Sequence, residues 1–239
     1  MVTIPARFNG PDHTGNGGYV SGLVAAEVGA GPVTVSLRIP PPLDVALSWE
    51  HDAGHDSPGE VRLLTAGGAV IGSGAAAGFD RDVPAAPTVA EAQHGLEHYA
   101  GFTTHPFDHC FTCGTARADG DGLRLFPGAV DDSRTATRWT PHAAFGGPDG
   151  LLDVPTTWAA LDCPGGWAAD FTRQVMLLAR MTAEVVRLPR AGEPHLATGV
   201  LRRRDGRKFV TDTALYTEDG ELVGRSEQLW IEVDPATFG

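Results

Sequence analysis

Cysteine is scarce in this sequence, whose 239 residues include only Cys110, Cys113 and Cys163. So small and odd a number excludes the disulfide framework that stabilises many small secreted domains. The amino terminus also lacks the order of basic, apolar and small residues that marks a secretory signal peptide. We therefore expect a protein of the reducing cytoplasm.

Long apolar runs and net positive charge are missing as well. No apolar stretch approaches the roughly 20 residues that a membrane-spanning helix requires. Acidic residues outnumber lysine and arginine by 30 to 18, and the resulting formal charge of −12 repels phosphate backbones and anionic lipid surfaces. Neither nucleic acid nor a membrane is therefore expected as a partner.

Two similar blocks, each a helix followed by strands, organise what is present. In the first block, helical spacing covers 18–29, and the alternation of apolar and polar residues predicts strands. These strands are expected at 33–39, 43–49, 59–65 and 69–79. The segment EHDAGHD (50–56) is expected as an exposed hairpin loop.

The second block repeats this order. Asp153 is a suitable N-cap for a helix through VPTTWAALDC, which is expected to end at Pro164. GLRLF (122–126) is expected as the first strand of this half. Four longer strands should follow the helix, at 175–188, 194–204, 207–217 and 221–233.

The two blocks also resemble each other in sequence. TAGGAVIGSG (65–74) aligns with TEDGELVGRS (217–226), and VTVSLRIP (33–40) aligns with MTAEVVRLP (181–189) with one extra residue. Two matches in the same order indicate an internal duplication. A helix and an antiparallel sheet occurring twice predict the α+β class, with each sheet wrapped around a helix.

Three segments resemble the hotdog-fold thioesterase superfamily, particularly the phenylacetate-pathway type. They are GNGGYVSGL, CFTCGTARADGDGLRLFPG (110–128) and WAALDCPGGWA (158–168). The resemblance implies a double hotdog, with an amino-terminal unit at 1–83, a linker at 84–104 and a carboxy-terminal unit at 105–239. Association of several such double units is left open.

The glycine-rich stretch HTGNGGYVSGLVAA (13–26) does not fit the common phosphate-binding motifs. A dinucleotide fingerprint starting at Gly15 would need its third glycine at position 20, which is Val20. A Walker loop is excluded because no Gly-Lys-Ser/Thr follows.

The family resemblance implies a different use for these glycines. In related thioesterases a His-Gly-Gly turn opens the central helix, and a backbone N–H there polarises the thioester carbonyl. A carboxylate about nine residues further on acts as general base or nucleophile. Here Asn16, Gly17 and Gly18 occupy the turn, but Ala25 stands where the acid is expected.

The second block has the complementary pattern. Asp162 occupies the place of the helix acid, whereas Asp153-Val154-Pro155 lacks the two glycines. We therefore expect one composite site, in which Gly17 and Gly18 face Asp162 and Asn16 holds the turn or positions water. A distance above about 10 Å between Gly18 N and the Asp162 carboxylate would exclude it. The plainer alternative is that the glycines allow close packing and the aspartate forms a local cap.

The function that the resemblance implies is hydrolysis of acyl-CoA or of an acyl-carrier thioester, without a cofactor. Tyr19 and Trp158 are expected beside the acyl group. Arg202 and Arg203, within LRRRDGRK (201–208), are candidates to bind phosphates of the thiol carrier, although a solvated hairpin end is the plainer explanation of this cluster. The main alternative function is a non-catalytic acyl-CoA or lipid-binding protein. A hydratase is disfavoured because neither central helix contains histidine.

The segment HPFDHCFTCG (105–114) contains half of a zinc-binding pattern, Cys-x-x-Cys. A second pair of ligands is missing, since only Cys163 remains, with His142 and His195 as distant candidates. We therefore favour buried thiols and expect no metal. A nucleophilic Cys110 activated by His109 is disfavoured, because adjacent side chains on a strand point to opposite faces.

Overall fold

Residues 1–52 and 59–238 are described by a computed structural model. Within these ranges the α-helices are α1 (Gly17–Val28), α2 (Val89–Glu97) and α3 (Val154–Ala168). The strands are β1 (Val33–Leu37), β2 (Ser48–Asp52), β3 (Glu60–Leu64), β4 (Val70–Ala76), β5 (Gly128–Ala129), β6 (Arg134–Trp139), β7 (Met176–Val185), β8 (His195–Asp205), β9 (Lys208–Thr217) and β10 (Leu222–Glu232).

All ten strands form one antiparallel sheet in the order β2-β3-β4-β1-β7-β10-β9-β8-β6-β5. If β1 to β4 correspond to β7 to β10, this order is mirrored about the β1–β7 pair. At that pair Thr34 lies opposite Thr182, its counterpart in the sequence repeat, with 2.6 Å between their Oγ1 atoms. The topology agrees with the predicted duplication, and β5 and β6 extend the second half.

The two central helices share one core on one face of the sheet. Helix α1 packs against β1, β3, β4 and β7, and α3 packs against β5 to β10. Every residue of α3 after Val154 is buried, as expected for a helix that is apolar all round. The smaller helix α2 covers the opposite face, where Ala92 joins a separate cluster with Ala136, Leu196 and Ala214.

Glycines on α1 allow the two central helices to approach closely. A Cβ atom on Gly18 would lie 2.8 Å from Trp158 O, and one on Gly22 would lie 2.6 Å from Pro155 Cα. The successive contacts with Trp158 and Pro155 also show that the helices run antiparallel. Close packing, the plainer alternative for the glycines, is therefore part of their role.

The expected end of α3 at Pro164 is wrong, because the helix continues to Ala168. A proline inside a helix lacks the N–H that would donate to the carbonyl four residues earlier, which is here Ala160 O. Side chains of the sheet bond other carbonyls of the same stretch: Thr213 Oγ1 donates to Leu161 O at 2.7 Å, and Thr135 Oγ1 donates to Pro164 O at 2.9 Å. These bonds tie this part of the helix to the sheet.

Two strand predictions need correction. GLRLF (122–126) is not a strand, since Arg124 has a left-handed φ of 51° that interrupts the extended backbone. The strand expected at 43–49 begins only at Ser48, because Asp44 has a φ of 55°. The first strands of the second half are β5 and β6, which no sequence pattern predicted. Part of the loop expected at 50–56 lies outside the described residues.

The segment between the halves crosses the same face of the sheet as α2. Backbone amides of Asp80 and Arg81 donate to Glu227 Oε1, and Arg81 pairs with the buried carboxylate of Asp212 at 2.7 Å. The unit boundaries at 83 and 105 stay a prediction. Among the described residues, no helix has the length and apolar character that crossing a membrane requires.

Candidate functional site

The amino-terminal end of α1 is held by Asn16. As the N-cap residue, Asn16 accepts a hydrogen bond from Tyr19 N through Oδ1 at 2.8 Å, which leaves its Nδ2 group to point outward. Gly17 and Gly18 follow as the first helical residues. A Cβ on Gly17 would lie 2.9 Å from Leu178 Cβ, and one on Gly18 only 2.4 Å from Asp162 Cβ. A side chain at either position would therefore force its neighbours to shift, by more at Gly18 than at Gly17.

Asp162 of α3 lies directly against this turn. Its Oδ2 atom accepts hydrogen bonds from Gly18 N at 3.0 Å and from Asn16 Nδ2 at 3.1 Å. The distance from Gly18 N is therefore far inside the 10 Å limit set by the composite-site prediction. The structure thus brings together three of the residues that sequence analysis selected, one from the second half and two from the first.

Burial controls the acidity of this carboxyl group. Asp162 is only 2% exposed, and this burial raises its pKa from 3.8 to about 7. The nearby Cys110 raises the pKa further, whereas the hydrogen bonds from Gly18 and Asn16 oppose the shift. Both the protonated and the ionised forms of Asp162 are therefore accessible near neutral pH.

Two polar groups at the site have no partner within 1–52 and 59–238. The first is Asp162 Oδ1, which is buried and accepts no hydrogen bond. The second is the amide of Gly17. The amides of the other residues between 15 and 20 all donate to protein oxygens. One carboxylate oxygen and one helix N-terminal donor thus have no hydrogen-bond partner among the described residues.

A cavity of about 230 Å³ adjoins these groups. It lies where β1 and β7 separate, beyond their last backbone pair at Ser36 and Arg180. Asn16, Gly17 and Asp162 contribute its polar wall. The apolar side chains that line it include those of Leu37, Ile39, Pro41, Phe107, Phe171, Met176, Leu178, Trp230 and Ile231.

Side chains of β10 and of the Cys-x-x-Cys segment, which sequence analysis missed, fix the backbone around Asp162. Gln228 Nε2 donates to Leu161 O at 2.7 Å and to Asp162 O at 3.2 Å. Thr112 Oγ1 donates to Ala159 O at 3.1 Å on another side of the helix. No local pattern marks such contacts, since Gln228 lies 66 residues from Asp162.

The two aromatic residues expected at the acyl group lie elsewhere. Trp158 is buried against Gly22 and is not among the residues that line the cavity. Tyr19 stacks on Phe8 with ring centroids 3.9 Å apart, and burial raises its pKa to about 12. Aromatic contact with the cavity comes instead from residues such as Phe171. The predicted substrate contacts of Trp158 and Tyr19 are therefore corrected to core packing.

The two arginines expected to bind phosphate are also absent from this cavity. Arg202 Nε pairs with the buried Asp212 at 2.6 Å, opposite the Arg81 pair described above. Arg203 lines a separate polar cavity of about 380 Å³, together with Arg81 and Arg180. The structure does not bring Arg202 or Arg203 to Asp162, because their strand carries them to the face that the linker crosses.

The corresponding end of α3 is built differently. Asp153 caps its own helix by accepting from Thr156 N at 2.8 Å, and Pro155 supplies no amide hydrogen. Ala25, where the second acid would stand, is 3% exposed and has no ionisable group. This end lines neither of the two cavities described above.

The cysteines of the chain gather beside Asp162. The Sγ atoms of Cys110, Cys113 and Cys163 all lie within 4.8 Å of one another, and those of Cys110 and Cys163 are 3.8 Å apart. Hydrogen bonds from the Cys113 and Cys163 thiols hold the pKa of Cys110 well below its usual range. Burial raises the pKa of Cys113 and of Cys163. Asn16 Nδ2 lies 3.7 Å from Cys110 Sγ.

Neither histidine near this cluster is arranged to activate a thiol. His109 is exposed and lies 3.1 Å from the Asp108 carboxylate, whereas Cys110 is buried. His105 Nδ1 accepts from Phe107 N, and His105 Nε2 contacts Cys113 O at 3.0 Å. Sequence spacing identified the Cys110–Cys113 pair but could not show that Cys163 joins it.

No protein-family model matches the sequence, and no curated protein matches it either. Solved structures do match nearly the whole chain. A protein of Novosphingobium aromaticivorans is 16% identical with a TM-score of 0.65, over 98% of this chain and 94% of its own. Acyl-CoA thioesterase II TesB2 of Mycobacterium marinum is 17% identical with a TM-score of 0.57, over 98% and 93%.

A third structure names the shared architecture. A conserved protein of unknown function with the hot dog fold, from Alicyclobacillus acidocaldarius, is 12% identical with a TM-score of 0.59, over 98% of this chain and 92% of its own. Identities this low carry information on fold alone. Together with the mirrored sheet and its two central helices, these matches show that the chain has the α+β hotdog fold in its double, tandem form.

Proposed function

We propose that this chain hydrolyses acyl thioesters, with acyl-CoA as the substrate class, at the composite site of the α1 turn and Asp162. One observation carries the proposal. Asp162, which lines a mainly apolar cavity, has one buried carboxylate oxygen held by the start of α1 and the other without a partner among the described residues. A buried carboxylate oxygen without a hydrogen-bond partner is rare in folded proteins because it costs free energy, so it requires an explanation such as a catalytic role.

In the proposed reaction, Asp162 acts as the general base. Its Oδ1 atom takes a proton from a water molecule, and the resulting hydroxide attacks the thioester carbonyl carbon. The tetrahedral intermediate then collapses as the C–S bond breaks, and the departing thiolate takes the proton back from Asp162. A pKa of about 7 suits a group that must both accept and return a proton.

Gly17 supplies the donor for the developing negative charge. Its N–H has no acceptor within 1–52 and 59–238, and Gly17 lines the cavity. The start of α1 adds the positive end of the helix dipole. Sequence analysis gave this role to Gly17 and Gly18 together. Gly18 N already donates to Asp162, so Gly18 positions the base and only Gly17 polarises the carbonyl.

The cavity fits the apolar part of such a substrate. Its volume of about 230 Å³ is below the roughly 300–1,000 Å³ of typical ligand pockets, which favours a short acyl group. Its neighbour in fold from Mycobacterium marinum is named an acyl-CoA thioesterase, which supports CoA as the thiol carrier. An acyl-carrier protein would present the same thioester through the same opening.

Binding without hydrolysis is the second candidate, and two observations favour it. The Gly18 amide is occupied by Asp162, and the equivalent end of α3 offers no second site. A chain of this kind would hold an acyl thioester in the cavity and leave it intact.

A thiol-release assay over a panel of acyl-CoA esters separates the two candidates. The panel should contain short straight, branched and aromatic acyl groups, and an unreactive thioether analogue should be titrated in parallel by calorimetry. We expect release of CoA from short acyl esters. Binding of the analogue without release of CoA would favour the non-catalytic candidate. If the protein neither bound the analogue nor released CoA, both functions would be excluded for this site.

A further inference from the structure

The buried thiols beside Asp162 form a second candidate site. Cys110, Cys113 and Cys163 are the only cysteines in the sequence, yet their sulfur atoms all lie within 4.8 Å of one another. We propose that they bind one Zn²⁺ ion through three thiolates, with the fourth coordination position open to the cavity. This proposal does not depend on thioester hydrolysis.

The spacing of the sulfur atoms fits a zinc ion. Zn–S bonds of about 2.3 Å in tetrahedral geometry place sulfur atoms about 3.8 Å apart. The Cys110–Cys163 distance is 3.8 Å, and every other pair is within about 1 Å of the required value. Small side-chain rotations would complete the triangle.

Backbone hydrogen bonds hold the Cys-x-x-Cys turn in place. Gly114 N donates to Cys110 O at 2.8 Å, and Cys110 N donates to Phe107 O at 2.9 Å. Asn16 Nδ2 also lies 3.7 Å from Cys110 Sγ. The turn therefore positions Cys110 and Cys113 beside Cys163, with all three sulfur atoms close enough to share one ion.

The fourth position faces the cavity rather than another protein ligand. Both ring nitrogens of His105 are already engaged with backbone groups, and His109 is exposed. All three cysteines and Asp162 line the same cavity. Three protein ligands with one open position are typical of reactive zinc sites. Asp162 itself has a buried Oδ1 atom without a partner among the described residues.

Thiolate ligands also select the metal. Soft sulfur donors favour Zn²⁺ over Mg²⁺ or Ca²⁺, which prefer oxygen. Cys163 belongs to α3, whereas Cys110 and Cys113 belong to the segment 105–114. The ion would therefore link that segment to the helix that carries Asp162. Metal binding would then stabilise the folded state.

Metal analysis of the protein purified under reducing conditions, without chelators, tests the proposal. We expect about one zinc per chain in the wild type. Cys163→Ser should weaken zinc affinity at least about tenfold, while His109→Ala should retain the ion. The second variant is a matched control, because His109 adjoins Cys110 in sequence but is exposed.

Cobalt substitution gives a readout that needs no variant to fold. Co²⁺ added to metal-free wild type should produce intense sulfur-to-cobalt charge-transfer absorption together with the visible bands of a tetrahedral site. Wild type that holds no zinc and gives no such absorption would overturn the proposal. Full zinc retention in a folded Cys163→Ser variant would overturn it too. Neither measurement involves thioester turnover, so the proposed function can fail while this site stands.

Discussion

The amino-terminal ends of α1 and α3 occupy equivalent places in the two halves, yet they are built in opposite ways. The end of α1 has two glycines, receives a carboxylate from the other helix and, among the described residues, keeps the Gly17 amide without an acceptor. The end of α3 is capped by its own Asp153 and begins with Pro155, which has no amide hydrogen. We propose that the first end binds a ligand and that the second serves the fold alone.

This difference teaches how a duplicated fold can divide one site between its halves. In the double unit both helices lie in one core, so the turn of one half meets the acid of the other without a second chain. Ala25 and Asp153 then need only maintain packing and helix capping. The following predictions test that division, in order of decreasing expected effect.

A large loss of turnover is expected from removing the amide hydrogen of Gly17. Gly17→Pro deletes the N–H while proline remains acceptable at the first helical position. Gly17→Ala adds bulk against Leu178 but keeps the N–H. We expect kcat of the proline variant to fall roughly 10²–10³-fold below that of the alanine variant. Equal kcat values would exclude Gly17 as the carbonyl donor.

Gly18→Ala should separate the two helices. The added Cβ would lie 2.4 Å from Asp162 Cβ, so we expect a loss of about 3 kcal/mol in the free energy of unfolding. Urea denaturation measures this loss. Gly67→Ala is the matched control, since its Cβ would meet nothing closer than 3.9 Å and should change stability by less than about 0.5 kcal/mol. Similar losses in both variants would contradict the close-packing role.

Gln228→Leu should loosen the backbone that carries Asp162. It keeps most of the side-chain volume but removes the donor to Leu161 O and Asp162 O, at a cost of about 2 kcal/mol. Gln93→Leu on α2, which removes a hydrogen bond to the exposed Glu97, should have little effect. Chemical denaturation of both variants checks the difference, and unchanged stability of Gln228→Leu would show that Gln228 does not fix the backbone around Asp162.

The smallest effect is expected at the closed end. Asp153→Ala removes the cap of α3 and should cost about 1 kcal/mol in unfolding free energy. Because Asp153 lies outside the proposed site, kcat/KM should remain as in the wild type. Thermal unfolding and thiol release measure these two quantities, and a large loss of activity would show that the α3 end also takes part.

Much of the architecture was predictable because it depends on short-range patterns of apolar and polar residues in the sequence. Alternation identified the longer strands, and the paired repeats anticipated the mirrored sheet. The nine-residue spacing of turn and acid, taken across both halves, led to the Gly18–Asp162 contact that the structure contains. Such features depend on local residue order or on simple duplication.

The remaining features depend on contacts between distant residues. Helix α3 continues through Pro164 to Ala168, and strand side chains such as Thr213 bond its carbonyls to the sheet. The occupied Gly18 amide reflects how close the helices approach, which spacing cannot give. Arg202 pairs with the buried Asp212, and Cys163 contacts Cys110, from which it is 53 residues distant in the sequence. Each of these required the folded arrangement.

The most direct test of the composite site compares two matched substitutions, Asp162→Asn and Asp153→Asn. Both are assayed for thiol release with an acyl-CoA that the wild type hydrolyses. Asparagine nearly preserves shape, and it also caps helices well, so both variants should fold. We predict that kcat falls about 10²–10⁴-fold in Asp162→Asn and stays at the wild-type value in Asp153→Asn. Unchanged turnover in Asp162→Asn would contradict the division of one site between the two halves.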